Sequence, residues 1–423
     1  MNASAFYDVL VVGGGASGLA AAITAARIGK SVCVIERDVA CGLKLLATGN
    51  GRCNLSNESI DIRQYNHPAF VESIMGPQPE QDLESFFSSL GIMTICEEGR
   101  LYPRSLRAES VRDALLNACE RLGITQLCGA NVIAAHKASE GWTLRINRPA
   151  HVLKPKKHGD RKTELRSLRK ALADTPRTSD TLQARAVVIA TGGDPTGIAE
   201  VFSLPLAPLH PVLCPVSASV VGDQTALETL DGLRVRARLT LSRSHEELWQ
   251  EDGEVLFRAF GISGVAAFNL SRRINQGDTV LLDFFPDFSK DELLDTLNRR
   301  AKVLGDFSPR NSHWLDGMLA PQLSHIVCAA FERCHPGSRD VIHLVSILKH
   351  FKLSVKGTAE ERSAQVTRGG ISIECVSAPD LCVSGATGAP LYVCGEALDI
   401  DADCGGFNLA WAWISGIRAA SSL

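Results

Sequence analysis

Asp8-Val9-Leu10-Val11-Val12-Gly13-Gly14-Gly15-Ala16-Ser17-Gly18 is the stretch that decides the fold. Asp8 to Val12 reads as a short apolar strand that runs straight into a glycine turn. Leu19 to Ile28 continues as an alanine-rich helix, and Lys30 to Ile35 is a second apolar strand ending on Glu36. Strand, tight turn, helix, second strand and terminal acid together predict a dinucleotide site. Gly13 permits the sharp turn, Gly15 leaves room for a pyrophosphate, and Gly18 lets helix and strand pack closely. The first helical turn, with Ala16 and Ser17, offers free N–H groups and a partial positive charge to phosphates. Glu36 stands 18 residues beyond Gly18, where a carboxylate accepts hydrogen bonds from both ribose hydroxyls, and Arg37 adjoins it.

With 423 residues the chain can bury a large core and is expected to form two or three domains. A hydrophobic content of 45% and a charged content of 22% describe an ordinary globular protein, and the net charge of −3 points to no partner by itself. The 13 cysteines form no CxxC pair and sit mostly in apolar stretches, which suits buried reduced thiols in a cytoplasmic protein. The 11 histidines show no HxxxH or HxH spacing, so no metal site is expected. Val9 to Ala26 carries no charge over 18 residues, but its glycines and the strand behind it argue against a signal or membrane segment.

Gly42 to Asn57 is too rich in glycine and asparagine for regular structure. Such a loop presents backbone N–H groups, and Lys44 and Arg52 add positive charge that suits a phosphate or a flavin ring edge. Ala108 to Leu122 reads as an amphipathic helix, and Val132 to His136 pairs with Trp142 to Ile146 as strands. Arg145 to Lys170 then holds ten Lys or Arg against Asp160 and Glu164, a local balance of +8, which leaves about −11 for the remainder. This segment reads as a protruding or mobile basic arm, the pattern either of a nucleic-acid contact or of a solvated loop. Ala186 to Ala190 is a buried strand leading into Thr191-Gly192-Gly193, the second recurrent signature of FAD-binding oxidoreductases. Strands follow at Val216 to Val221, Arg234 to Ser242, Glu254 to Phe257 and Thr279 to Phe285, and helices over Lys290 to Cys334. A last strand, Ala389 to Gly395, carries Glu396 and Asp399 behind it. Gly405-Gly406-Phe407-Asn408-Leu409 then opens a final apolar helix whose free N–H groups suit negative charge on a reduced flavin.

From end to end the chain resembles the BaiN/RdsA-type flavoproteins, a YhiN-like, aminoacetone-oxidase-like FAD-binding family. The resemblance rests on GGGASGLAAA from Gly13, GNGRCNLSN from Gly49, LYPRS from Leu101, ATGG from Ala190, GEVLFRAFGISG from Gly253, AQVTRGGI from Ala364 and GEALDIDADCGGFNLAWAWISG from Gly395. It implies an α/β fold: an FAD-binding Rossmann-like domain of the glutathione-reductase type, an inserted β-barrel domain and a small nested α-helical domain. The expected boundaries are 1–205 and 358–423 for the FAD-binding domain, with the basic arm over about 147–183. The barrel takes 206–288 and 343–357, and the helical insert 289–342. Three local departures stand out: the short Asp194-Pro195-Thr196-Gly197 after ATGG, the long basic arm, and Ala402-Asp403-Cys404 where a glycine-centred segment is common.

The expected cofactor contacts are Gly13, Gly15, Ala16, Ser17, Gly18, Glu36, Arg37, Lys44, Gly51, Arg52, Cys53, Val132, Thr191, Gly192, Gly395, Glu396, Asp399, Gly406, Phe407, Asn408 and Leu409. The resemblance implies reduction of a carbon–carbon double bond by NAD(P)H through FAD, foremost uridine to dihydrouridine in large-subunit ribosomal RNA. A small metabolite (an amine, an enone or a steroid-like acid) is the alternative substrate, and an RNA-binding protein with structural FAD is a third reading. A single GxGxxG leaves no separate nicotinamide domain, so NAD(P)H would bind transiently. The catalytic candidates are Cys53 as proton donor and Arg52 as the group polarising a carbonyl, with a packing thiol as the other reading of Cys53. Arg145 to Lys170 has no aromatic residue, so any RNA contact through it would be to phosphates.

Overall fold

The computed structural model describes residues 5–138, 140–151, 160–385 and 388–423. Two compact units emerge, Met1–His210 with Val366–Leu423, and Pro211–Gln365.

The first unit is built on a seven-stranded sheet. Ala5–Val12 lies at its centre, parallel to Val32–Glu36 on one side and to Arg177–Ile189 on the other. Thr125–Cys128 extends the first flank in parallel. Asn131–Ala138 and Gly141–Pro149 extend the second as an antiparallel hairpin. Leu391–Val393 adds in parallel to the end of Arg177–Ile189, so residues from three distant parts of the sequence meet at one strand edge. The central strands are continuous apolar runs because both faces are covered: Leu10, Val11, Val187 and Val188 are fully buried. The helix after the turn begins at Ala16, three residues before the apolar run of its sequence, because Gly15 caps it and the small Ala16, Ser17 and Gly18 already carry its first turn. It packs against the final helix Phe407–Ser421 where small residues let the backbones approach: a Cβ on Gly416 would lie 2.3 Å from the Ser17 carbonyl oxygen.

The Gly42–Asn57 stretch is more regular than its composition suggests. Lys44–Gly51 forms 3-10 turns, broken at Thr48, Gly49 and Asn50, the last two with φ of 56° and 53°. A short strand, Ser56–Asn57, follows.

The basic arm also differs from expectation in its described residues; 152–159 lie outside them. In place of a protruding chain, Arg161–Asp174 is a 14-residue helix capped by Asp160, which accepts from Thr163 N at 2.8 Å. Its inner side holds to the sheet unit. Arg169 pairs with Asp38 at 2.6 Å, Arg161 with Asp113 at 3.1 Å, and Leu172 is buried against Gly129.

The second unit is a closed barrel of six strands. In order round the barrel they are Val216–Val220, Gly261–Ser263, Glu246–Arg258, Arg234–Arg243, Thr279–Asp283 and Phe351–Thr358. Alternation fills its interior, as with buried Leu239 and Leu241 facing Val255, Phe257 and Leu353 in one core. The strand at Glu254 begins at Glu246, because Ser244 and His245 (φ 51° and 70°) make a two-residue hairpin turn and its outer residues are polar. Helices Lys290–Leu304, Pro321–Cys334 and Val341–Lys349 stand between the last two strands. The first carries a Ser289/Glu292 capping box, and Leu293, Leu297, Leu323 and Val327 face the core. Among the described residues no helix is long and apolar enough to cross a membrane, and no group of three or more His, Cys, Asp or Glu is placed to hold a metal ion.

Candidate active site

The glycine turn has no room for side chains where the fold is tightest. Gly13 has φ of 111°, and a Cβ there would lie 2.2 Å from the Ala190 carbonyl oxygen. A Cβ on Gly18 would lie 1.9 Å from the Gly13 carbonyl oxygen. Gly15 is different: a Cβ there would meet nothing within 4 Å, so the space above the turn is open. The N–H groups of Ala16, Ser17 and Gly18 open a 12-residue helix onto that space. Glu36 closes the turn from the next strand, its Oε2 accepting from Gly14 N at 2.7 Å and its Oε1 from Asp38 N at 2.8 Å. Each carboxylate oxygen keeps a second lone pair for a ribose hydroxyl. Arg37 is exposed, and Val132 is buried two residues after Ala130, whose N–H donates to the Glu36 carbonyl.

Thr191, beside Gly13, has a buried hydroxyl with no hydrogen-bond partner among the described residues. An orphaned buried donor next to an open glycine turn fits a bound dinucleotide. Gly192 (φ 80°) and Gly193 follow, and a Cβ on Gly193 would lie 2.5 Å from Glu396 Oε1. Glu396 accepts from Lys44 Nζ at 2.7 Å and from Thr367 N at 3.1 Å. Gly395 lies against Ser17, where a Cβ would come within 2.3 Å of Oγ. The turn, the ATGG segment, Lys44 and the Gly395–Glu396 corner are thus one contiguous surface.

A second set of free N–H groups opens the final helix. Gly406 (φ 98°) caps it, and Phe407, Asn408 and Leu409 form its first turn. A Cβ on Gly406 would lie 2.3 Å from the Ser56 carbonyl oxygen, so this end is knitted to the loop after Cys53. Asn408 holds the Ala402–Asp403 segment, accepting from Ala402 N at 2.9 Å and donating to Ala402 O at 2.8 Å. Asp399 accepts from Gly369 N at 3.0 Å and from Asn66 Nδ2 at 3.2 Å, and its Oδ2 lies 3.3 Å from His67 Nε2. Two residues on, the fully buried Asp401 takes a two-pronged bond from Arg368 at 2.8 and 2.9 Å. Burial opposes the charge on Arg368, but Asp401, with Asp399 and Asp403 near it, holds its pKa above the ordinary value.

Arg52 and Cys53 follow Gly51 in the broken 3-10 stretch. The Arg52 guanidinium pairs with Glu97 and lies 4.3 Å from the Tyr102 ring centroid. Its bond to Glu97 raises its pKa. Cys53 is fully buried with φ of 59°, and burial pushes its thiol up to about 11. Such a thiol keeps its proton at neutral pH but has no path to solvent in this conformation.

Asn66, His67, Thr367 and Arg368 belong to this region, with the buried Asp401 paired to Arg368, and all five escape a reading of the sequence. They lie in unremarkable local contexts, and their partners are far away in the chain. AQVTRGGI and LDIDAD carry the only hint, as stretches shared with the family.

The model of the HI0933-like protein Rossmann domain matches residues 7–422. The chain is 30% identical to a 3-dehydro-bile acid delta(4,6)-reductase of Clostridium scindens, over 97% of each chain. It is 24% identical to a ribosomal RNA dihydrouridine synthase of Haemophilus influenzae over 99% of each. It is 25% identical to one of Escherichia coli, over 99% of this chain and 98% of that one. With an open glycine turn, an orphaned threonine hydroxyl and a second helix end on one surface, the chain belongs to the HI0933-like family of FAD-dependent Rossmann-fold oxidoreductases.

Proposed function

We propose that this protein uses NAD(P)H to saturate a carbon–carbon double bond conjugated to a carbonyl, and that its substrate is uridine in large-subunit ribosomal RNA. The names of the relatives support the reaction class, since a delta(4,6)-reductase and a dihydrouridine synthase both add hydrogen across such a bond. One observation carries the choice of RNA. With Arg161 and Arg169 paired to Asp113 and Asp38, Lys162, Arg166 and Lys170 remain exposed at i, i+4 and i+8 along one stripe of their helix. That spacing makes a one-sided row of cations suited to phosphates. The free cysteines support a reducing, cytoplasmic setting.

FAD, when bound, supplies the hydride chemistry. The chain's part is placement. The N–H groups of Ala16 to Gly18 take the pyrophosphate, Glu36 the ribose, and Thr191 a further acceptor. The N–H groups of Phe407 to Leu409 favour negative charge at the ring end. Arg52 is the half-exposed cation of the GRCN loop, fit to polarise a substrate carbonyl. The complete burial of Cys53 favours its packing role over proton donation.

A second reading, reduction of a small enone, is favoured by the higher identity to the bile-acid enzyme, 30% against 24% and 25%. Nucleoside mass spectrometry of ribosomal RNA from cells with and without the gene separates the two. Loss of a dihydrouridine supports the first. Unchanged RNA, together with NAD(P)H-dependent turnover of a steroid enone by the purified protein, supports the second.

A further inference from the structure

Behind the glycine turn lies a pair of thiols that the reductase chemistry does not use. Cys41 is buried, 1% exposed, and its sulfur lies 3.9 Å from that of Cys128. Cys128, the less enclosed of the two, ends the strand Thr125–Cys128 and stands opposite Glu36 in the sheet. Cys41 presses on the turn itself: a Cβ on Gly14 would lie 2.5 Å from its sulfur, and Gly42 N donates to the Gly14 carbonyl at 2.7 Å. The buried Arg112 fixes the same segment, its Nε donating to the Cys41 carbonyl at 2.8 Å. Glu36, the carboxylate proposed to hold the ribose, neighbours both: its Oε2 lies on the same side of Gly14 as the Cys41 sulfur, and its backbone pairs with Cys128 in the sheet.

We propose that Cys41 and Cys128 form a reversible disulfide with a hydroperoxide as oxidant, and that this bond loosens the grip of the glycine turn on FAD. The Cys128 sulfur attacks hydrogen peroxide: an S–O bond forms, the O–O bond breaks, and the departing hydroxide takes up the proton given up by the Cys128 thiol and leaves as water. The Cys41 sulfur then attacks Cys128. An S–S bond forms, the S–O bond breaks, and water leaves with the Cys41 proton. Two thiols are oxidised by two electrons, and one peroxide is reduced to two waters. Cys128 is the less enclosed of the two, so the peroxide reaches its sulfur first; the hydrogen bond from Cys41 favours its thiolate, against burial and the nearby Glu36 charge. Cys41 is pushed up by that same bond and by burial.

Geometry supplies the coupling. A disulfide needs the sulfurs at about 2 Å, so the pair must close roughly half of its separation. Cys41 packs on Gly14 and Cys128 is paired across the sheet with Glu36, so closing the gap shifts a residue in contact with the turn from one side or the other. Either motion disturbs the bond from Gly14 N to Glu36 that shapes the dinucleotide turn.

The test uses the full-length, FAD-loaded protein. It is treated with stoichiometric hydrogen peroxide, alkylated, digested and analysed by mass spectrometry, with bound flavin measured in parallel after gel filtration. The expected result is a Cys41–Cys128 linked peptide ahead of any other, a several-fold faster loss of FAD, and reversal of both by dithiothreitol. Cys128→Ser abolishes both effects while retaining FAD under reduction. Cys41→Ser leaves a sulfenic acid on Cys128 that dimedone traps. Oxidation of the exposed Cys96 or Cys334 with no Cys41–Cys128 link would overturn the proposal, as would a link that leaves FAD retention unchanged.

Discussion

Thr191 separates folding from cofactor binding at the scale of a single residue. Its buried hydroxyl gains nothing from the protein alone, and an unsatisfied buried hydroxyl costs about 1–3 kcal/mol. Thr191→Val keeps the shape and removes that cost. Its melting temperature without FAD is expected to equal or exceed that of the wild type, while FAD affinity falls about 3- to 10-fold for one lost hydrogen bond. Thermal melts of apoprotein and a fluorescence titration with FAD check both halves. Arg52 invites a different substitution. Its planar guanidinium both pairs with Glu97 and stacks on Tyr102, a geometry that an ammonium cannot reproduce. Arg52→Lys is expected to lower kcat by about 10-fold with FAD content unchanged, less than the roughly 100- to 1000-fold for outright loss of an oriented donor because the positive charge is kept. Steady-state kinetics set against the flavin-to-protein absorbance ratio decide it.

At the scale of elements, the helix Arg161–Asp174 shows what the sequence reveals and what it hides. Leu165, Leu168 and Leu172 recur at helical spacing, which is a legible signal, but basic residues crowd it and make the segment read as an arm. The glycine turn is legible for the opposite reason, since each of its constraints acts between neighbours in sequence. The pairs Arg368–Asp401 and His67–Asp399 are not legible, because nothing local marks a residue whose partner lies 33 or 332 positions away. Docking of the helix rests in part on Arg169 and Asp38. Burial raises the Asp38 pKa, but the Arg169 hydrogen bond and charge, with the Val39 N–H bond and the Arg37 charge, outweigh it and leave the carboxyl below its ordinary value of 3.8. A depressed carboxyl pKa stabilises the docked state above that ordinary value, and the contribution is lost as pH falls through the lower, folded-state value. Arg169→Ala is therefore expected to speed amide exchange across residues 161–174 at pH 7, at a cost of about 0.2–1 kcal/mol. The difference between mutant and wild type should vanish once acid protonates Asp38, as exchange measured across a pH series would report.

For the whole molecule, a balance of −3 conceals a strongly basic tract on an acidic remainder. If the exposed row of Lys162, Arg166 and Lys170 meets phosphates, replacing all three by Ser lowers RNA affinity and flattens its dependence on salt. Each lost contact removes about 0.7–0.9 from the slope of log K against log salt, so the change is about 2–3 in total. Filter binding to ribosomal RNA fragments at several salt concentrations measures it, and an unchanged slope removes the row from the RNA contact.

The unit with the glycine turn is made of two separated pieces, Met1–His210 and Val366–Leu423. Synthesis is vectorial, so a ribosome must translate all of 211–365 before it can supply Leu391–Val393 and the closing helix. At about 5–20 residues per second that delay is on the order of ten seconds or more. Until then the nascent first piece waits with one sheet edge bare and Ser17 without the glycines that pack on it. If the Gly395 corner and the closing helix complete the cofactor site as proposed, capture of the flavin is a late event in biogenesis, and a product truncated before Leu391 is expected to be colourless.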